Sequence, residues 1–71
     1  ARRKARESAE HADAATRLLK MSNHLHRLEK EGVIDEKVSL EAVIRLNEEA
    51  IAEMEKAIEL QKQFIDEQKA E

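Results

Sequence analysis

The sequence contains no cysteine, no proline, no tryptophan and no tyrosine, and it has one glycine and one phenylalanine. Each absence removes a class of structure or chemistry. Without cysteine there is no disulfide, no thiol nucleophile and no thiolate ligand for a metal. Without proline nothing obliges a helix to kink or stop. A single glycine cannot build a phosphate-binding loop. One aromatic residue offers no row of stacking platforms for single-stranded nucleic acid. No apolar run approaches the roughly 18 residues of a membrane span, and nothing resembles a signal peptide. These absences lead to the expectation of a soluble, cytoplasmic chain without a cofactor.

What is present is equally one-sided. Of 71 residues, 41% are charged and 41% hydrophobic, the balance of a long helix or coiled coil and too apolar for disorder. A chain this short buries only about 60% of its unfolded surface alone. With disulfides excluded, oligomerisation is the expected reinforcement. The high Glu, Lys, Ala and Ile content fits a natural fragment and a designed protein alike.

Periodicity supplies the architecture. Isoleucine recurs every seven residues at Ile44, Ile51, Ile58 and Ile65, and Leu40, Asn47, Met54 and Gln61 complete an alternating spacing of three and four. That pattern predicts a helix with a seam for another helix. Upstream, Ala14, Leu18, Met21, Leu25 and Leu28 share one side of a first helix, whose Ala-rich beginning favours helix but offers little surface to bury. Gly32 is placed to end that helix in a Schellman stop, with Val33 packing back on Leu28. Asp35 is the favoured N-cap for the second helix and Ser39 the alternative. The expected fold is therefore all-α: one antiparallel hairpin domain over 1–71, with helix one at about 5–31, a turn at 32–34 and helix two at about 35–69.

Folding the chain about Gly32 predicts Leu28 near Leu40, Leu25 near Ile44, Met21 near Asn47 and Leu18 near Ile51. It also sets the basic N-terminus beside Asp66, Glu67 and Glu71. Ile44, Ile51, Met54, Ile58 and Ile65 then form the seam within the hairpin. A shoulder of Val43, Leu46, Leu60 and Phe64, joined by Ala50 and Ala57, is left over. An apolar arc this wide implies a second contact, met most economically by pairing two hairpins into a four-helix bundle. The competitor is an adaptor presenting the shoulder to a different protein. Asn47, buried in the seam, would select register or oligomer state; at the seam margin, it and Gln61 would simply reach water.

Chemistry finds little support. His24 and His26 are two apart and diverge by about 200° on a helix, so they cannot share an ion. Glu7 and His11 have the right spacing for one metal, with His11 expected to face the Glu55 and Ile58 region, but a solvated pair is the plainer reading. The adjacent acids of helix two lie on its polar arc rather than in an apolar pocket that would split their pKa values. No glutamate precedes a histidine by three, as a di-iron bundle requires. The expectation is a protein that is not an enzyme.

Charge is uneven along the chain, a formal +3 over residues 1–31 and −6 over residues 32–71. Arg2, Arg3, Lys4 and Arg6 would be the contacts if nucleic acid were bound, but complementarity between the two ends of the hairpin accounts for the same pattern. The run from Leu18 through Met21, Leu25 and Gly32 into Ile34, Asp35, Glu36, Leu40 and Ile44, under half of the chain, resembles the short helical hairpin of rabenosyn-type Rab-binding domains. That resemblance implies a face for a small GTPase and assigns no site residues. Taken together, the sequence reads as a structural module that self-associates through the apolar face of helix two.

Overall fold

A computed structural model of the chain, described over residues 2–70, contains helix α1, Arg2–Lys30, and helix α2, Glu36–Ala70, packed on each other as a thin hairpin of 56 × 14 × 11 Å. There are no strands among the described residues. α1 begins at Arg2, three residues before the expected start, because nothing in the Ala-rich opening opposes helix.

The turn follows from local chemistry. Gly32 has φ 78°, the left-handed conformation that costs glycine nothing. The Val33 amide donates to the Leu28 carbonyl at 2.9 Å and the Gly32 amide to the Glu29 carbonyl at 3.0 Å, the bond pair of the Schellman motif. Asp35 caps α2, its carboxylate accepting the Lys37 amide at 3.1 Å while its carbonyl accepts the Ser39 amide at 2.9 Å. Arg27 and Lys30 occupy the last turn of α1 and Glu36 the first turn of α2, each of the sign that suits the helix dipole.

The seam corrects the sequence reading. The buried residues are small: Ser8, Ala15 and Ser22 on α1, and Ser39, Ala50 and Ala57 on α2. Val43, Leu46, Leu60 and Phe64 lie half-buried along this same strip. Thus the shoulder packs inside the hairpin, while Ile44, Ile51, Met54, Ile58 and Ile65 stand 40–56% exposed. The physical reason is approach distance. With Ser and Ala between them the backbones come close enough for the Ser8 hydroxyl to donate to the Ala57 carbonyl at 2.7 Å and the Ser39 hydroxyl to the Leu25 carbonyl at 3.5 Å. A seam of isoleucines would hold the helices too far apart for either bond. No buried side-chain polar atom among the described residues lacks a partner.

Register shifts as well. Ser8 meets Ala57, His11 meets Glu53 and Leu25 meets Ser39, so the expected pairings of Leu25 with Ile44 and Leu18 with Ile51 are displaced by roughly one helical turn. The charged ends do meet, in an ion pair between Lys4 and Glu67. Glu71, another expected neighbour, lies outside the described residues.

Candidate interaction face

α2 presents a long, mostly apolar row to solvent. Leu40, Ile44, Ile51, Met54, Ile58 and Ile65 keep the spacing of a helix-packing seam, and all remain between 40% and 56% exposed. Asn47, half-buried, and Gln61, exposed, interrupt the row. On the same side of the hairpin α1 contributes Ala5, Ala9 and Ala12, which with Met54, Ile58 and Gln61 line a shallow groove floored by Ser8 and Ala57. The face therefore has a tall strip on α2 and, in the half of α1 that carries Ala5, Ala9 and Ala12, a low strip beside it; nearer the turn the same side of α1 carries Leu19, 40% exposed. A second hollow, near the middle of α1, is lined by Lys20, Met21, His24 and Leu25.

The opposite edge of the seam is polar. His11 Nδ1 lies 2.5 Å from Glu53 Oε2, and Lys56 stands 3.9 Å from the other oxygen of the same carboxylate. The hydrogen bond from His11 holds the Glu53 carboxyl below its ordinary pKa, opposed by partial burial and assisted by the charges of Lys56 and His11. The Glu67 carboxyl is likewise lowered, first by its hydrogen bond with Lys4. His11 is thus engaged with Glu53 rather than with Glu7, whose carboxylate instead takes Arg3 at 3.4 Å. His24 lies 3.3 Å from Arg27. No group of three or more potential metal ligands occurs among the described residues.

Of the four basic N-terminal residues, Arg3 pairs with Glu7 and Lys4 with Glu67, and Arg2 and Arg6 are exposed. Among the described residues, no helix is long and apolar enough to cross a membrane. Reading by hydrophobicity missed the small-residue rows that set the hairpin. Their signal was a seven-residue recurrence at Ser8, Ala15 and Ser22, matched by Ala50 and Ala57. No protein-family model matches the sequence, and comparisons with curated proteins and with solved structures likewise gave no match.

Proposed function

We propose that this hairpin is a non-catalytic assembly module that self-associates into a four-helix bundle through the exposed row of α2. One observation carries the reading: six large apolar side chains stand along one helix-packing row, interrupted only by Asn47 and Gln61 and about half exposed, on a protein whose fully buried seam residues are serine and alanine. Fully burying such a side chain is worth about 1.5–3 kcal/mol. Completing the burial of each half-exposed member would therefore add roughly 1 kcal/mol, a large increment for a domain whose total stability is small. The interface so proposed comprises Leu40, Ile44, Ile51, Met54, Ile58 and Ile65, with Asn47 and Gln61 at its margin. Val43, Leu46, Leu60 and Phe64 serve the hairpin instead.

Use of the N-terminus for nucleic acid is the weaker reading, because Arg3 and Lys4 are already paired within the chain. Sedimentation equilibrium across a wide concentration range, with the unfolding midpoint at each concentration, tests the proposal. A dimer whose midpoint rises with concentration is expected. A monomer at every concentration would reject self-association and leave the row for a different protein, another helical protein or a small GTPase.

A further inference from the structure

We infer that the occupant of the α2 row is a second copy of this chain related by a two-fold axis parallel to the helices. Each α2 then lies on the other copy's α1, and both turns stand at the same end. This rests on the self-association reading and supplies its geometry. Area is the first support. The accessible surface is 5534 Å² for 8.2 kDa, whereas a compact monomer of that mass would expose about 4,500 Å². The excess, on the order of 1,000 Å², is close to the roughly 800 Å² that each partner buries in a stable interface.

Relief is the second support. An axis parallel to the helices seats Ile51, Met54 and Ile58 on the low alanine strip, with Ile44 beside Leu19 nearer the turn. An axis across the helices would set isoleucine on isoleucine and alanine on alanine, and hairpins held apart by the first contact would leave the second unpacked. The parallel axis also fixes the register without adjustment, because every residue keeps its own height. The three seam contacts Ser8–Ala57, His11–Glu53 and Leu25–Ser39 join residues whose numbers add to 64 or 65, while Lys4 and Glu67, at the open end, reach each other through long side chains from roughly two turns off that register. Ile58 therefore falls level with the step between Ala5 and Ala9 of the second copy, and Ile51 with the step between Ala12 and Thr16. Large side chains opposite the gaps between small ones are the knobs-into-holes arrangement.

Charge is the third. Seven-residue spacing puts exposed Glu41, Glu48 and Glu55 on the outer edge of α2, and exposed Arg6, Lys20 and Arg27 on the outer edge of α1. The parallel axis lays acidic edge along basic edge, whereas the crossed axis brings Glu48 beside Glu55 and Arg6 beside Lys20. Asp13 and Lys62 occupy the same edges with reversed sign, so the attraction is concentrated in the half nearer the turn. Exposed pairs of this kind contribute little affinity but select orientation.

The chain has no native cysteine, so Lys37→Cys and Lys69→Cys each place a single spin label at an exposed site, one near the turn and one near the far end of α2. Pulsed dipolar spectroscopy is then run at concentrations where sedimentation gives the dimer. The expected label-to-label distance is about 20–30 Å at both sites, two helix spacings plus the label arms. Distances on the order of 45–50 Å at both sites, from about 1.5 Å per residue of offset, would place the turns at opposite ends. That result would overturn this geometry and leave self-association standing. A chain that sediments as a monomer and shows no dipolar coupling at any concentration would remove self-association and the geometry with it.

Discussion

Ala50→Leu is the substitution on which hydrophobic pattern and packing disagree most sharply. Leucine and alanine are both strong helix formers, so intrinsic propensity changes little. By pattern alone, a larger apolar residue at a helix–helix contact should stabilise. Ala50 is, however, 0% exposed, in a strip where the Ser8 hydroxyl reaches the Ala57 carbonyl at 2.7 Å. An isobutyl group has no space there and must either adopt a poor rotamer or push the helices apart. Overpacking of this kind costs about 1–3 kcal/mol, and losing the Ser8 bond adds about 0.5–1.5 kcal/mol. With a urea dependence of about 1 kcal/mol per molar for a small domain, the midpoint should fall by roughly 1.5–4.5 M. The control is Ile51→Ala at the lowest usable concentration, where 51% exposure limits the loss to about 1 kcal/mol, below the 2–5 kcal/mol of a fully buried isoleucine. An Ala50→Leu variant as stable as the parent chain, or an Ile51→Ala loss above about 3 kcal/mol under those dilute conditions, would refute the small-residue seam.

Gly32→Ala should destabilise by about 1–2 kcal/mol, and purely through the backbone, because a Cβ there meets nothing within 4 Å while φ is 78°; Gly32→Asn should recover part of the loss in the same urea assay. Asp35→Ala removes the acceptor for the Lys37 amide and should cost about 1 kcal/mol, read as the same midpoint shift; no change would show that this cap does not hold in solution. The lowered pKa values of Glu53 and Glu67 fix the sign of an acid dependence. Their contributions are complete above the ordinary glutamate value and fade as pH falls through the lower folded values, so the thermal midpoint should drop between roughly pH 5 and pH 3. Glu53→Gln should flatten that drop in a melting series, and an identical profile would show that the His11 contact does not persist in solution.

How much of this was legible in the sequence depended on which residue carried the information. Gly32 and Asp35 were readable because their effects are local, set by one residue's φ or one side-chain oxygen. The antiparallel hairpin followed from those two stops and from helix-forming composition. The seam was not readable by hydrophobicity, since Ser8, Ser22 and Ser39 score as polar although all are at least 92% buried. What decides their place is volume: a small residue every seventh position lets two backbones approach, and the hydroxyl finds a carbonyl once they do. Register was lost for the same reason, because pairing large residues with large ones slid α2 along α1 by about one turn.

Those small residues also account for the face that remains. A helix has room in one contact for the residues that point into it, and α2 points Ala50 and Ala57 at α1. Its isoleucines, one position along at Ile51 and Ile58, are rotated away by about 100°. Burying them within the hairpin would require turning α2 about its axis, which would break the Ser8 bond to Ala57 and separate Glu53 from His11. The close seam and the exposed row are therefore one choice seen from two sides. An Ala50→Leu change that loosens the first should let α2 rotate and draw Ile51 inward. Hydrogen exchange would register this as weaker protection along α1 together with weaker self-association. If loosening the seam left association intact, the two faces would be energetically independent, and the rotation that links them would be wrong.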